Sequence, residues 1–457
     1  MKVSVIGAGH VGLVAGACLA EIGHDVLCVD NDPRKLEALA AGRTPFFEPH
    51  LEELLTRNIA AGRLHWSASI AEGAEHADVL FLCVGTPPLP DGEADMSAVE
   101  AVARQIAVAA RSPKLLVEKS TVPVQTGERL EKTLAVYGAA ESEVASNPEF
   151  LAEGTAVVDF LFPSRIVIGV ESEWAEGLLR EVYEPIVQRA FSWRPSDVEV
   201  DTEGQAPLIA ANRNTAEIIK HASNSFLSTK ISYINMVSRL CDAVGADVRL
   251  VAAGMGLDAR IGPKFLQAGI GFGGFCFPKD LQSFIRMAEK NGCDFSLLRE
   301  IERINAGQVD RFVQTLRDEL WILKGKRIAA WGLAFKPHTD DMRFSPAVSV
   351  IQRLQAEGAR VVAYDPQAAD EAAREAPGIE LADSAEAAAD RAEALLILTD
   401  WPQFRQVDLA AVKARMVRPL LLDGRNLLDP ESMSALGFEY HGVGRGRRTA
   451  MRLAPAV

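Results

Sequence analysis

The chain has 457 residues, a formal net charge of −14 and a hydrophobic content of 48%, and this length exceeds what one hydrophobic core supports, so about two to four domains are expected. The negative charge argues against nucleic acid or an anionic membrane surface as a partner, because both are bound mainly through basic side chains. No apolar run approaches the roughly 18 residues of a membrane span, and we therefore expect a cytoplasmic protein.

The N-terminal stretch predicts a dinucleotide-binding unit. Residues 2–6 form an apolar strand, and the sequence GAGHVG follows it and opens an apolar helical run. The second strand ends at Asp30, about 20 residues after the glycines, as the dinucleotide fingerprint requires. Asp30 can accept hydrogen bonds from both hydroxyls of an adenosine ribose and would repel a 2′-phosphate, so NAD is expected rather than NADP. The glycines that bring the pyrophosphate to the helix N-terminus are Gly7, Gly9 and Gly12.

Two further strands end in turns that contain threonine. Residues 79–84 are fully apolar and precede Thr86, and a similar run from residue 115 leads to Thr121. Ligands of open α/β sheets bind beyond the carboxyl ends of the strands, so both threonines are candidates for contact with the cofactor. Ordinary turn and helix-cap chemistry is the alternative for each.

Two carboxylates, Glu149 and Glu153, lie four residues apart in the run NPEFLAEG. If this run is helical, the two side chains share a face and can place an acid or base beside a substrate. A solvated helix face is the alternative interpretation.

A long helix is predicted from Asn214 onward, because no glycine interrupts the sequence before Gly245. Asn214 or Thr215 can cap it. Lys220 and Asn224 fall on one stripe with apolar residues, so we expect them to be partly buried and to need polar partners, of which a ligand is one. The alternative for Lys220 is an ammonium group that reaches solvent at the helix end.

The decapeptide GFGGFCFPKD, residues 271–280, predicts a glycine-rich turn before a helix. Pro278 suits the first helical turn, which places Cys276 just ahead of a helix N-terminus. The partial positive charge there, together with Lys279, favours thiolate over thiol and makes Cys276 a candidate nucleophile. A buried cysteine in a tight turn is the alternative. The other cysteines lie among apolar neighbours without metal-ligand spacing, so we expect them in the core and expect no metal site.

These stretches resemble the UDP-glucose 6-dehydrogenases, within the wider UDP-glucose/GDP-mannose dehydrogenase family. The resemblance covers the chain up to its C-terminal tail and includes the N-terminal GxGxxG. The further motifs, in order, are VGTP at 84–87, KSTVPV at 119–124, NPEFLAEGTA at 147–156, IIKHASNSFLSTKISYIN at 218–235, RIGPKFLQAGIGFGGFCFPKD at 260–280 and FKPHTDDMRFSP at 335–346.

The resemblance implies a four-electron oxidation of UDP-glucose at C6 to UDP-glucuronate, which uses two NAD and one water. Cys276 would be the nucleophile that forms a thiohemiacetal and then a thioester. Lys220 and Asn224 would stabilise the oxyanion, and Asp280 would assist proton transfer. The hydrolytic water would be organised by Glu149, Glu153 and Thr121.

The resemblance also implies two sets of binding contacts. The cofactor contacts are Gly7, Gly9, Val11, Gly12, Asp30, Lys35, Thr86, Thr121, Glu153, Lys279 and Arg343. The sugar-nucleotide contacts are Glu149, Phe150, Leu151, Glu153, Lys220, Asn224, Phe265, Gly269, Gly273, Lys336 and Arg425, with Arg260 reaching the substrate across a dimer.

The expected fold class is α/β, with two Rossmann-like parallel-sheet domains joined by a long central helix and a helical dimerisation domain. A second α/β unit begins near residue 326, and its first turn lacks GxGxxG, so a different ligand is expected there. The expected boundaries are 1–205 for the NAD-binding domain, 206–315 for the helical domain with the cysteine loop, 316–445 for the UDP-sugar-binding domain and 446–457 for a flexible tail.

Two positions depart from the family pattern. Phe275 precedes the candidate nucleophile where the family usually has serine, which predicts a narrower or more apolar pocket. His10 replaces a common tyrosine and is expected to affect only packing. The alternatives to UDP-glucose oxidation are the same chemistry on UDP-N-acetylmannosamine, UDP-N-acetylglucosamine, UDP-N-acetylgalactosamine or GDP-mannose, and an NAD-binding sensor without turnover.

Overall fold

The computed structural model describes residues 1–200 and 204–446, and the chain divides into two units. Met1–Ser223 and Gln282–Asn291 form the first unit, and Asn224–Leu281 with the chain from Gly292 onward forms the second. The predicted tail, 446–457, lies outside the described residues from residue 447 on, as do residues 201–203 of the predicted first domain.

The first unit is built on an eight-stranded sheet with the strand order β3-β2-β1-β4-β5-β6-β7-β8. Neighbouring strands are parallel except β6 and β7, which pair antiparallel. The strands are β1 (Lys2–Ile6), β2 (Asp25–Val29), β3 (Leu64–Ser67), β4 (Val79–Leu82), β5 (Leu115–Glu118), β6 (Glu143–Ser146), β7 (Ile166–Gly169) and β8 (Leu208–Ala211).

Helices cover this sheet, which is why its central strands are apolar on both faces. Every residue of β4 and of β5 is buried, including Glu118 at the end of β5. Each buried leucine or valine side chain there stabilises the fold by roughly 1.5–3 kcal/mol. The helices are α1 (His10–Glu21), α2 (Pro33–Ala40), α3 (Leu51–Ala60), α4 (Ile70–His76), α5 (Ser97–Ala109), α6 (Thr126–Val136), α7 (Ala156–Leu161) and α8 (Glu173–Val187).

A long helix, α9 (Arg213–Val244), contributes residues to both units. Its predicted length is confirmed, but the predicted cap is wrong. The side chain of Asn212 accepts a hydrogen bond from the Thr215 N–H at 2.8 Å, so the cap lies ahead of both candidates. Asparagine satisfies a free N–H of the first turn in the way expected of a capping residue.

The second unit contains helices around the cysteine loop and a second sheet. The helices before this sheet are α10 (Val248–Gly256), α11 (Cys276–Lys290) and α12 (Ser296–Leu320), and α11 belongs to the second unit only as far as Leu281. The sheet is parallel throughout, with the order β11-β10-β9-β12-β13-β14. Its strands are β9 (Arg327–Trp331), β10 (Arg360–Tyr364), β11 (Glu380–Leu381), β12 (Ala394–Ile397), β13 (Leu420–Asp423) and β14 (Glu439–Gly442).

One apolar core lies between this sheet and its helices, and it includes the fully buried Trp331 and Phe404. The helices are α13 (Pro346–Ala356), α14 (Ala369–Glu375), α15 (Ala385–Ala389), α16 (Leu409–Arg415) and α17 (Pro430–Leu436), with a 3₁₀ helix at Pro402–Arg405. The predicted α/β class, with a large mostly parallel sheet, a central helix and a second parallel sheet, is confirmed. Among the described residues, no helix has the length and the apolar composition that a membrane crossing requires.

Two buried carboxyl groups, Glu118 at the end of β5 and Glu217 in the first turns of α9, lie close enough for the charge of Glu217 to act on Glu118. Burial raises the pKa of Glu118 well above its usual range, and the charge of Glu217 adds to this effect. Burial also raises the pKa of Glu217 to about 7, although Gln125 and Arg213 act to lower it. Both carboxyl groups therefore hold their protons to a higher pH in the folded chain than a solvent-exposed glutamate does.

This pair predicts a pH-dependent stability. Because both pKa values are higher in the folded than in the unfolded chain, the folded state binds more protons, and the free energy of unfolding falls as the pH rises through about 7. Glu118→Gln removes one of the two titrating carboxyl groups and should weaken the dependence of Tm on pH between about pH 6 and pH 8. Thermal unfolding monitored by circular dichroism measures this dependence. The matched control is Glu141→Gln, at an exposed position, and an unchanged dependence in Glu118→Gln would contradict the assignment.

Candidate active site

The glycine loop between β1 and α1 has the shape that a pyrophosphate group needs. Gly7 has a φ of +100°, and a Cβ on Gly12 would lie 1.8 Å from the Gly7 carbonyl oxygen, so neither position accepts another residue without displacement. A Cβ on Gly9 would meet nothing within 4 Å, which leaves open space at the helix N-terminus. The loop therefore fits the dinucleotide expected from the sequence.

Asp30 lies at the end of β2 with its carboxylate already oriented. Its Oδ2 accepts hydrogen bonds from the Ala8 N–H and from Lys35 Nζ, both at 2.8 Å. Burial acts to raise the pKa of Asp30, but the hydrogen bonds from Lys35, Asp32 and Ala8 prevail and lower it. The carboxylate is thus ionised at neutral pH and available to ribose hydroxyls, with the predicted contact Lys35 beside it.

The predicted threonines meet beyond the ends of β4 and β5. Thr86 is buried, and its hydroxyl donates to the Thr121 carbonyl oxygen at 3.0 Å. Both lie in the first unit, as do the glycine loop and Val11. The structure therefore joins the two turns that the sequence placed at one edge of the sheet.

Glu149 and Glu153 do not share a helix, because residues 147–152 form an extended loop and α7 begins only at Ala156. The condition under which the two acids would share a helix face is therefore not met, since Pro148 disfavours helix at this point. Instead, Glu149 Oε1 accepts from Lys220 Nζ at 2.7 Å, and Oε2 accepts from the Leu151 N–H at 2.6 Å. The acid and the lysine are both buried, so they form a buried ion pair.

Phe150, a predicted substrate contact, lies beside this pair. Its ring centroid is 5.6 Å from Lys220 Nζ and 3.6 Å from the Arg165 guanidinium carbon. The alternative in which Lys220 extends into solvent is wrong, because its exposed fraction is 4%.

The sequence analysis did not identify a polar group next to this pair. Lys119 is buried, and its Nζ lies 3.0 Å from Asn147 Oδ1 and 3.4 Å from the Tyr183 hydroxyl. A lysine at the end of an apolar strand was the signal that could have revealed it.

His10 also does more than pack. Its ring stacks on Phe46 at 4.5 Å, and its Nε2 lies 2.9 Å from Glu48. The Glu48 carboxylate accepts from the N–H groups of Gly154 and Ala156, which hold the turn that contains Glu153. His10 thus makes a polar link to that turn through Glu48.

In the second unit, Cys276 is the first residue of α11 and its side chain is exposed. It was expected just ahead of the helix, and the difference arises because Pro278 occupies the third helical position rather than the first. Among the other cysteines, Cys293 was expected in the core but is exposed in the turn after α11. The alternative of a buried Cys276 is therefore wrong.

The loop before Cys276 packs closely against residues 335 and 344. A Cβ on Gly273 would lie 2.3 Å from the Phe344 carbonyl oxygen, and one on Gly274 would meet the Phe335 ring at 2.8 Å. Asn305 on α12 accepts from the Phe272 N–H at 2.8 Å and donates to the Phe272 carbonyl at 3.0 Å. Asn305 was not predicted from the sequence.

Asp280 lies one turn after Cys276 and connects two predicted site residues. Its Oδ2 accepts from Asn224 Nδ2 and its Oδ1 from Lys279 Nζ, both at 2.6 Å. All three side chains are buried. This buried arrangement orients the Asn224 amide and keeps a carboxylate near the start of the helix that bears the thiol.

Phe275 forms a contact that serine could not. The Arg343 guanidinium carbon lies 4.6 Å from its ring centroid, and Lys279 Nζ lies 5.7 Å from it. Arg343 also pairs with Asp341, at 2.7 Å between the nearest atoms. The aromatic ring therefore joins the cysteine loop to two cations that the resemblance assigned to cofactor contact.

The remaining predicted substrate contacts of the second unit each have different neighbours. Arg425 donates to the carbonyl oxygens of Leu398, Gly271 and Phe335 at 2.8–3.1 Å. Gly269 is held by Asn235 and Gln308, both at 2.8 Å. Lys336 Nζ lies 5.7 Å from the Phe335 ring, Phe265 has a φ of 66°, and Arg260 is highly exposed and paired with Asp258.

Three models of one family match the chain in order. They describe the UDP-glucose/GDP-mannose dehydrogenase family: its NAD binding domain over residues 1–187, its central domain over 214–307 and its UDP binding domain over 329–430. The resemblance inferred from the motifs is thereby confirmed.

Several relatives align with this chain over nearly their full length. The UDP-glucose 6-dehydrogenases of Rhizobium meliloti and of Pseudomonas aeruginosa are each 43% identical, covering 97% and 98% of this chain and 100% and 98% of theirs. The solved UDP-glucose dehydrogenase of Pyrobaculum islandicum has a TM-score of 0.86 at 38% identity, with 97% of both chains covered. The UDP-D-ManNAc dehydrogenase of Pyrococcus horikoshii has a TM-score of 0.82 at 26% identity, with 97% of this chain and 99% of that one covered. Because family models and relatives follow nearly the whole chain, the protein belongs to the UDP-glucose/GDP-mannose dehydrogenase family and is an NAD-dependent dehydrogenase.

Proposed function

We propose that the protein oxidises C6 of UDP-glucose to a carboxylate, with two NAD reduced and one water consumed per sugar. The observation that carries the proposal is Cys276, an exposed thiol at the first position of α11 in a glycine-built loop. A two-electron alcohol dehydrogenase has no use for such a thiol, whereas oxidation to an acid requires the aldehyde to be held as a tetrahedral adduct. The names of the full-length relatives favour UDP-glucose as the substrate.

Each side chain has a separate role in the proposed reaction. NAD, when bound, accepts a hydride from C6 in each oxidation. The Cys276 thiolate adds to the aldehyde carbon to give a thiohemiacetal, whose oxidation leaves a thioester. Lys220 and the amide of Asn224 stabilise the oxyanion, and Asp280 assists proton transfer. Water then attacks the thioester, the thiolate leaves, and the carboxylate product forms.

Glu149, with Glu153 and Thr121, organises the attacking water in this proposal. The contacts of Glu149 support its part, because Lys220 and the Leu151 N–H hold both oxygens of the carboxylate in fixed positions. A carboxylate held in this way is oriented before the water arrives.

The substrate assignment has one competitor supported by a specific observation. The aligned Pyrococcus horikoshii enzyme is a UDP-D-ManNAc dehydrogenase, and Phe275 stands beside the nucleophile where the family usually has serine. The substrate is identified by comparing initial rates on UDP-glucose, UDP-N-acetylmannosamine, UDP-N-acetylglucosamine and GDP-mannose. The assay counts NADH released per sugar, and two per sugar distinguishes the dehydrogenase from a sensor without turnover.

The first functional prediction concerns the covalent intermediate. Cys276→Ser should bind NAD and UDP-glucose almost normally and lose turnover by on the order of 10³ or more, because an activated nucleophile and its adduct are lost. Glu149→Gln should slow hydrolysis, so the thioester accumulates on Cys276 and is detected by intact-mass measurement. Cys293→Ser is the matched control at another exposed cysteine. A Cys276→Ser enzyme that releases two NADH per sugar at nearly the normal rate would rule the mechanism out.

A second prediction concerns cofactor choice. Asp30→Ser should lower kcat/KM for NAD by about 10- to 100-fold, the effect of losing charged hydrogen bonds worth about 1.5–3 kcal/mol. It should also reduce the preference for NAD over NADP, since Lys35 loses its carboxylate partner and can pair with a 2′-phosphate. Asp32→Ser is the control, because serine preserves the cap of α2. An unchanged ratio of the two kcat/KM values in Asp30→Ser would refute this role.

We further propose that the protein forms a homodimer through α9. An apolar stripe is exposed along α9 from Phe226 to Val244, and its most exposed members are Phe226, Leu240 and Val244, which are 65%, 63% and 67% exposed. Tyr233 and Met236 lie on the same helix and are each 44% exposed. Apolar side chains at helical spacing on one face favour pairing with a second apolar face, and in a homodimer that face is the same stripe.

Light scattering coupled to size-exclusion chromatography tests the dimer. The wild-type protein should have the mass of two chains, and Leu240→Glu should shift it toward one chain, because a charge would be buried at the interface. Val136→Glu is the control, since Val136 is 78% exposed but lies on α6. Equal masses for the wild-type and the Leu240→Glu protein would contradict the proposal.

A further inference from the structure

Lys119, at the end of β5, is the buried charge for which the mechanism has no role. Its exposed fraction is 4%, and its Nζ lies 5.4 Å from the Phe160 ring centroid and 6.0 Å from that of Phe81. Within the residues that the structure describes, no carboxylate forms an ion pair with it. Burial of an ammonium group without a carboxylate costs several kcal/mol, and an apolar residue of similar volume would be less costly.

The hydrogen bonds of Lys119 lead directly to the loop that contains Glu149. Its Nζ donates to Asn147 Oδ1 at 3.0 Å, and the Tyr183 hydroxyl donates to the same oxygen at 2.5 Å. Asn147 Nδ2 donates to the Val167 carbonyl, and its backbone N–H donates to the Glu118 carbonyl, both at 2.8 Å. Asn147 is thus held on every side, two residues before Glu149.

We propose that Lys119 is a positioning residue for Glu149. Its ammonium group, through Asn147, holds the loop at residues 147–151 in the conformation that presents Glu149 to Lys220. The inference rests on the proposed role of Glu149 in thioester hydrolysis and extends that role to a residue that need not touch the substrate.

Charged and titratable groups from several elements face Lys119. Burial lowers the pKa of the Lys119 ammonium to about 8, while Cys83 and Glu149 act to raise it and Lys220 acts to lower it further. Cys18 on α1 also acts to raise it. Burial raises the pKa of Cys83 to about 12 and that of the Tyr183 hydroxyl above its usual range, so neither titrates near pH 8. Lys119 therefore loses its charge as the pH rises through about 8, and the support of Glu149 is lost with it.

The test is the dependence of kcat on pH for the full-length enzyme with NAD and UDP-glucose. The wild-type kcat should fall as the pH rises above about 8. Asn147→Asp places a carboxylate against the ammonium and should move this fall upward by about one pH unit or more, because an adjacent opposite charge favours the charged form. Mere damage to the loop would lower kcat without moving the fall to higher pH.

Lys119→Met removes the charge and keeps the volume. It should lower kcat by about 10- to 100-fold, the effect of a misplaced catalytic group, and remove the fall near pH 8. The thioester on Cys276 should accumulate, as measured by intact mass, while KM for UDP-glucose changes little. Lys114→Met is the matched control, because Lys114 is also 4% exposed and immediately precedes β5, but it pairs with Asp78.

The proposal is overturned if the wild-type enzyme shows no fall near pH 8, if Asn147→Asp leaves the fall in place, or if Lys119→Met retains the wild-type profile. If Lys119→Met fails to fold, the proposal is tested by Asn147→Asp alone, from whether the fall in kcat moves to higher pH. Failure of the thioester mechanism can be told apart from failure of the Lys119 proposal. The turnover of Cys276→Ser tests the first, and the pH at which kcat falls tests the second.

Discussion

The buried ion pair between Lys220 and Glu149 is the interaction on which the first unit's part of the site depends. The side chains are 4% and 5% exposed, and their atoms approach to 2.7 Å. Removing one partner of such a pair costs about 3–5 kcal/mol, because the other charge is left buried and unpaired. The pair therefore holds the loop after β6 against the first half of α9, and the extended backbone of residues 147–152 persists because this contact and Asn147 hold it.

The second unit depends on a steric constraint rather than on a charge. Gly273 and Gly274 bring the cysteine loop so close to Phe344 and Phe335 that a side chain at either position would collide. With the backbone held in this way, Cys276 begins α11 and remains exposed, while Asp280 is buried one turn later. The loop and the first turn of α11 thus leave the thiol exposed at a helix N-terminus.

Several buried polar groups accompany these two features. Lys119, the pair of Glu118 and Glu217, and Asp280 are all nearly inaccessible. An apolar residue would cost less at such positions. Lys119 and Asp280 have hydrogen-bond partners that fix the orientation of a neighbouring loop or helix.

The sequence by itself determined the α/β class, the first dinucleotide-binding unit, the long helix and the family, because strand and helix periods, glycine spacing and ordered motifs are local properties. It did not determine that Glu149 and Glu153 lie on an extended loop, that Asn212 caps α9 or that Phe275 contacts Arg343. Nor did it show that Lys119, Asn147 and Tyr183 form one buried group. The cap and the loop are local features, but propensity alone did not decide between neighbouring residues. The contact of Phe275 with Arg343 and the group around Lys119 join residues that are far apart in the chain and meet only when the elements pack, so tertiary structure alone decided them.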